Sequence, residues 1–359
     1  MAVRIQKPAV NIREKLAELE RPIGLKGSEL MRAETAQDAR DFVSAGRKNL
    51  IINGGMDVWQ RGTSFLDPAS ASYTADRWKN STNNTDITRS TDVPSGQLFT
   101  YSMLMAANGS GGTRHAALQG VELPATGSAG LFKSGTTWTF SCWLKGGANG
   151  SIFFATDFRD DPNSGTNAVA ISSTYFNYTT SWQKFTHTFT VGVSPGGTNL
   201  CLAIILYNGT APTHSLNITG CQLEVGKNAT EFEHRSYGEE LVLCQRYYYR
   251  VGAVPSADRV LAYSGQWFTS TSGWVINTFP VTMRVRPTAL ETTGSNSNYN
   301  MISPSGGPVG TNAVPTWSVY TTEYQAITNF TTASGGNAGS ATYMYSATSG
   351  AYLGWSAEL

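Results

Sequence analysis

NLIINGGMDVWQRGTSF (residues 49–65), followed closely by YTADRW (residues 73–78), divides this chain of 359 residues into two unlike parts. Ahead of it, residues 1–48 carry ten Lys/Arg and seven Asp/Glu; behind it the chain is sparsely charged and rich in Gly, Ser, Thr, Asn and aromatics, the composition of β-sheet with many turns. Asn53-Gly54-Gly55 is a turn signal, because two glycines accept positive φ without steric cost. A strand is predicted to start after it. Asp57, Trp59 and Arg61 would share one face of that strand and Met56, Val58 and Gln60 the other. A polar and aromatic face opposite an apolar one suits an outer strand of a two-sheet sandwich.

The leader reads as helical. Asn11 can cap NIREKLAELE with Glu14 three residues on, Pro22 stops it, and Ile12, Leu16 and Leu19 form one apolar stripe. A second helix can start at Thr35 and run through Phe42 and Val43 to Gly46, with Pro22 to Gly27 as linker. Helices this short need a partner for their stripe. Residues 1–48 are therefore expected to anchor the chain, ordered by self-association or by docking on another protein; a frayed tail is the bland alternative.

From Asn49 to residue 235 the period is two. In TTWTFSCWLKG, Trp138, Phe140, Cys142 and Leu144 share a face; in SWQKFTHTFTV, Phe185, His187, Phe189 and Val191 do. LCLAIILY (200–207) is apolar on both faces, as a covered central strand would be. In SLNITGCQLEV, Leu223 and Val225 alternate with Gln222 and Glu224. Strands separated by Gly-, Asn- and Ser-rich turns predict an antiparallel β-sandwich, a jelly roll. Residues 236–359 begin with a short helix in YGEELVLCQ, where Leu241, Cys244 and Tyr248 lie at helical spacing. They continue as a β-rich unit with strand candidates VLAYSGQWF, GWVINTFPVTM, TWSVYTTEYQAI, SATYMYSA and AYLGWSAEL, and a long loop at 293–315.

Composition and spacing also exclude. Formal net charge is +1 with 14 % charged residues, so no basic stripe for nucleic acid is present. No stretch is apolar enough to insert in a membrane, and nothing at the start of the chain resembles a signal peptide. Cys142, Cys201, Cys221 and Cys244 lack metal or disulfide spacing and read as buried and reduced. His115, His187, His214 and His234 lack ligand spacing, and His187 reads as a core histidine. Gly192 to Gly196 matches G-x-S-x-G but joins strand to strand, so it reads as a hairpin loop. Asp157, Asp160 and Asp161 could pair for hydrolysis or hold a hard cation, against a default of solvated loop.

NLIINGGMDVWQ, TFSCWLKG, TTSWQKFTHTFTV and GCQLEVG resemble the successive strands of galactose-binding-like jelly rolls that serve as carbohydrate-binding modules. The ordered set, with YTADRW, QLEVGKNATEFEHRSYGEELVLCQRYYYR and FPVTMRVRPTA, is similar to bacteriophage tail-fibre and virion-appendage proteins. The leader resembles amino-terminal segments of fibre-like proteins of marine and cyanobacterial phages. This resemblance implies a non-enzymatic virion fibre, assembled in the host bacterial cytoplasm. It would be a homotrimer, held to other virion proteins through residues 1–48, with the β-rich unit of residues 236–359 as the distal tip that contacts the host surface, and would recognise host surface polysaccharide for adsorption. A purely structural spacer and a glycan-degrading spike are the alternatives.

Such modules stack flat aromatic rings on sugar faces, with amide, carboxylate or Arg groups on the hydroxyls. Trp59, Arg61, Tyr73 and Trp78 are close enough in sequence to form such a patch; Trp143, Tyr207 and, in the carboxy-terminal unit, Trp267 are further candidates. The resemblance implies no catalytic cofactor. It does imply a structural calcium held by acidic residues on the first and last strands, positions that Asp57 and Glu224 approximate. Here Met56-Asp57 stands where the family has Phe-Glu, and no second acidic residue stands beside Glu224.

Overall fold

Alternating apolar and polar side chains build two facing antiparallel sheets in the first half of the chain. The computed structural model describes residues 48–359 apart from 82–84, 108–115, 124–129, 163–164, 166, 197–198, 209–213, 253–256 and 258. The two leader helices and the anchor residues Ile12, Leu16, Leu19, Phe42 and Val43 lie outside the described residues. Strands are numbered in chain order. The larger sheet runs β1 (Ser64–Phe65), β2 (Thr85–Ser90), β3 (Ser102–Ala107), β10 (Leu216–Val225), β5 (Thr137–Gly146) and β8 (Gln183–Thr190). The smaller runs β4 (Ala116–Glu122), β9 (Cys201–Tyr207), β6 (Gly150–Arg159) and β7 (Val169–Tyr178). The chain is mainly β, and the sheets are those of a β-sandwich.

The expected faces of β5 and β8 are observed. Trp138, Phe140, Cys142 and Leu144 point inward against Ile152, Phe154 and Phe158 of β6, and Phe140 stacks on Phe154 with centroids 4.6 Å apart. Burying each such side chain contributes on the order of 1.5–3 kcal/mol. β9 is buried on both faces, as its unbroken apolar run predicts. All four cysteines are buried and free.

A helix, α1 (Tyr237–Gln245), follows, opened by a capping box in which Ser236 and Glu239 bond reciprocally. Beyond it lies a second core between a three-stranded sheet and a seven-stranded one. The former orders β11 (Tyr248–Gly252), β20 (Tyr352–Ser356) and β14 (Leu290–Thr292). The latter orders β16 (Pro308–Gly310), β15 (Tyr299–Ile302), β19 (Ala341–Ser346), β12 (Val260–Trp267), β13 (Ser272–Thr278), β18 (Gln325–Thr331) and β17 (Thr316–Trp317). Trp267, Phe330, Met344 and Trp355 fill this core, with Trp267 edge-on to Phe330 at 4.9 Å. The expected loop at 293–315 instead contains one 3-10 turn and the hairpin of β15 and β16, whose Met301 is fully buried.

The strand expected at Met56 to Arg61 does not form. Residues 51–56 are turns, with Asn53 (φ 57°) and Met56 (φ 59°) in the left-handed region. The physical reason is Asn53, whose side chain accepts from Val58 N at 2.9 Å and donates to the main-chain oxygens of Val58 (2.8 Å) and Asp76 (3.0 Å). A side chain that satisfies the backbone so locally competes with a sheet ladder. Met56, Val58 and Trp59 are consequently all buried, and the alternating faces are lost.

This compact segment joins the two units. Arg61 lies 3.4 Å from Glu358 and 3.6 Å from Glu291 and stacks on the Tyr248 ring, centroid distance 3.4 Å. Arg77, almost fully buried, is paired with Glu358, donates to Gly120 O at 2.7 Å and covers the Tyr247 ring at 3.5 Å. Burial is the largest single influence and opposes the charge on each guanidinium, but Glu358 together with the other acidic and phenolic groups around them outweighs it, so both pKa values end above the ordinary arginine range. Arg250 from the second unit returns the link by donating to the carbonyls of Gln60 and Arg61.

Removing one partner of a buried ion pair leaves the other charged and desolvated. Glu358→Ala is therefore expected to cost about 3–5 kcal/mol of unfolding free energy in urea; a loss under about 1 kcal/mol would mean that the arginines are satisfied without it.

Candidate functional site

The outer face of the smaller sheet carries a row of aromatic rings. Period-two alternation turns Ile152, Phe154 and Phe158 of β6 into the core and leaves Phe153 outward. Its cross-strand partners are Tyr175 of β7 on one side and Tyr207 of β9 on the other, and Tyr207 is in turn opposite Ala116 of β4. Phe153 lies 5.0 Å from Tyr175 and 5.2 Å from Tyr207, centroid to centroid, with interplanar angles of 59° and 73°. With strands roughly 4.8 Å apart, the row spans about 10 Å across three strands. Tyr175 is 65 % exposed. Ser151, Ser173 and Asn177, on the same face, are exposed beside it.

The far end of this face is covered. Lys79 bridges to Leu118, its ammonium pairs with Asp161 at 2.7 Å, and the Leu359 side chain lies over Gly120. Asp157 pairs with Arg159 at 2.6 Å at that end. Asp160 accepts from Asn167 and Asn199. The three aspartates thus belong to separate local pairings, and Asp157 stands in β6 instead of in the loop expected for it. Chemically, the open end can stack an uncharged ring and bond hydroxyls.

The sequence candidates part company here. Tyr207 joins the row. Trp59 and Trp78 are buried, their indole N–H groups donating to Met56 O (2.7 Å) and Asn53 O (2.9 Å). Arg61 is committed to Glu358 and Glu291, and the Tyr73 hydroxyl donates to the Leu359 main-chain oxygen at 2.6 Å. Trp267 is fully buried and donates to Ile302 O at 3.2 Å. Trp59, Trp78 and Trp267 thus fill the cores, while Arg61 and the partly buried Tyr73 are tied to the carboxy-terminal residues. Trp143 stays partly exposed, but on the outer face of the opposite sheet, packed near Gly220. Phe153 and Tyr175 were not singled out by sequence. Their signal is an aromatic at the outward parity of a strand whose inward parity is already aromatic, in IFF and YFNY.

Asp57 and Glu224 do not fit a shared calcium. Glu224 is buried with both oxygens engaged, Oε1 by Gln222 Nε2 and Thr230 N (2.8 Å each) and Oε2 by the Thr230 hydroxyl (2.7 Å). A carboxylate whose oxygens already accept from side-chain and main-chain donors would have to give up those bonds to ligate a cation. Among the described residues no three His, Cys, Asp or Glu side chains come together in a metal-binding group. No described helix is long and apolar enough to cross a membrane.

No protein-family model matches the sequence, and no curated protein matches it. Solved structures do. Half of this chain aligns with a fifth (21 %) of the enzymatically active domain of bacteriophage CBA120 tailspike protein 4, at 17 % identity and TM-score 0.33. A sugar-binding protein from Bacteroides thetaiotaomicron, described as putative in its own name, is covered completely by 50 % of this chain, at 12 % identity and TM-score 0.34. A carbohydrate-binding module, CBM4, is covered to 92 % by 40 % of this chain, at 15 % identity and TM-score 0.30.

Asp57 has a different consequence. Burial first, and the neighbouring Glu240 second, raise its pKa from 3.8 to about 6. In the unfolded chain it titrates near 3.9, so between about pH 4 and 6 the folded state holds the extra proton and stability falls as pH rises through that window. Asp57→Asn is expected to raise the melting temperature at pH 7.5 by ~2–4 °C, a gain that fades as pH approaches 4. Calorimetry showing an equal or lower melting temperature at pH 7.5 would overturn this assignment.

Proposed function

We propose that this chain is a non-enzymatic glycan-binding protein of a bacteriophage appendage, and that its first sandwich holds host surface polysaccharide across Tyr175, Phe153 and Tyr207. The observation that carries the reading is the row of three rings, Tyr175 exposed and Phe153 and Tyr207 partly so, flanked by hydroxyl and amide side chains. Exposed aromatics beside hydroxyl and amide groups are what a polyhydroxylated ring needs, since its C–H faces are apolar and its hydroxyls both donate and accept.

The virion part of the proposal rests on the order of sequence motifs that resemble fibre proteins. In this reading residues 1–48 dock on other virion proteins and the chain assembles as a homotrimer. It is located on the tail or capsid, and trimer avidity compensates weak single sites.

The test is retention of the full chain on immobilised polysaccharide from a permissive host, with Tyr175→Ala and Phe153→Ala beside it. Each variant is expected to weaken binding at least tenfold, as truncation of a central aromatic anchor does. Tyr175 is exposed enough that its loss leaves the melting temperature in place. A folded chain that neither binds host polysaccharide nor blocks virus adsorption would make the protein a spacer.

A further inference from the structure

A second face differs from the first in having no charge at all. None of the residues in the seven strands of the large sheet of the second unit is Asp, Glu, Lys, Arg or His, in a chain where 14 % are charged. Over residues 260–357 the sequence holds four charged side chains, Arg284, Arg286, Glu291 and Glu323, and every one lies outside those strands. Glu291 is engaged by Arg61 and Tyr248, and Arg284 donates to the main chain at Ala357 and Glu358.

Alternation sends Val275, Ala326, Phe330 and Met344 inward to the core and leaves a different set outward. Trp274 of β13 has Gln266 of β12 as its direct partner on one side and Asn329 of β18 on the other, an amide, ring, amide row across three strands. Phe268, 52 % exposed, lies 6.0 Å from Trp274. Tyr343 and Tyr345 sit 6.1 Å apart on β19, and Asn300 of β15 is opposite Tyr345. Rings are thus interleaved with amides in register, where cross-strand neighbours stand roughly 5 Å apart.

We infer that this face is a second glycan-binding site, specific for a neutral saccharide chain. The reasoning concerns what could cover it. The strands offer an anionic polymer no cation, the exposed Arg259 and Arg286 standing only at the margins of the sheet, before β12 and beside Trp317 of β17. An apolar protein surface would strip water from the Asn329 amide and from the Gln266 side-chain oxygen, whose own amide nitrogen donates to Gly339 O at 3.4 Å, and leave them unmatched. A neutral sugar presents apolar C–H faces to Trp274 and hydroxyls that serve both ends of each amide. The site lies on another sheet of another unit, so it goes beyond the face around Phe153 and stands or falls separately.

The experiment measures retention of the full chain on xylan, mannan, dextran and mixed-linkage β-glucan, with alginate and hyaluronan as anionic probes. Four proteins are compared: the unaltered chain, Tyr175→Ala, Trp274→Ala and the double variant. The expected result is that Tyr175→Ala keeps binding to at least one neutral polysaccharide, and that adding Trp274→Ala lowers this binding at least tenfold. Gln266→Ala, at an exposed position, should weaken it in the same direction without changing the melting temperature, which separates ligand contact from misfolding.

If Tyr175→Ala alone abolishes all retention, the second site is overturned and the first stands. If Trp274→Ala abolishes it while Tyr175→Ala has no effect, the second site stands and the first reading falls. Binding that depends on Trp274 but is confined to alginate or hyaluronan overturns the neutral-glycan assignment. So does a drop in sedimenting mass on Trp274→Ala, which would make this face a contact between copies of the chain.

Discussion

The structure depends on one carboxylate. Glu358 sits between Arg61 and Arg77, and these three side chains, nearly sealed from water, tie the first sandwich to the strands that close the second core. Two guanidinium groups cannot be desolvated side by side without an anion, and the stacking of each on a tyrosine ring of the segment after α1 supplies further attraction. Each partner also restricts the others. Arg77 reaches Glu358 from a left-handed backbone position (φ 70°), and Arg61 reaches it from the end of the Asn53 turn. The turn, the helix and the final strand must therefore be placed correctly together.

That constraint explains which parts of the fold were legible in the sequence and which were not. Regular strands announce themselves by period, because one face is dry and the other is not; β5, β8, β9, β10 and the long strands of the second unit were visible for that reason. The segment from Asn49 to Trp78 carries the same alternation by coincidence. Its polar residues are polar because they bond locally or across the junction: Asn53 to its own turn, Gln60 to Asp76 and Tyr248, Arg61 and Arg77 to Glu358. A buried polar network and a solvated strand face have the same composition, and spacing does not tell them apart.

The candidate site was legible to the same degree. Trp59, Trp78 and Trp267 were attractive because tryptophan stacks well on sugars, yet indoles of that size also fill a core best, and each found a main-chain oxygen for its N–H. Tyr207 was visible because it ends a strand that is otherwise wholly apolar. Phe153 and Tyr175 were hidden by inward-facing neighbours of the same type. Ranking aromatics by residue type therefore misleads here, whereas ranking them by parity against the core face would have found the row.

The junction also bears on how weak sites can act. One row of rings on a sandwich face, or one tryptophan between two amides, offers a sugar few contacts, and each ring stacks well only if it is held in place. Both faces lie on sheets whose opposite sides are packed cores, so the rings are held by strands and lose little freedom on binding. The ion network around Glu358 then holds two such faces on one body. A saccharide chain long enough to meet both would encounter the second at an effective concentration set by the junction, in place of a flexible linker whose contribution falls with its length. In such an arrangement affinity would come from geometry between sites more than from any one of them, and the buried salt bridges, which reach the covered end of the first face through Arg77 and Gly120, would set that geometry.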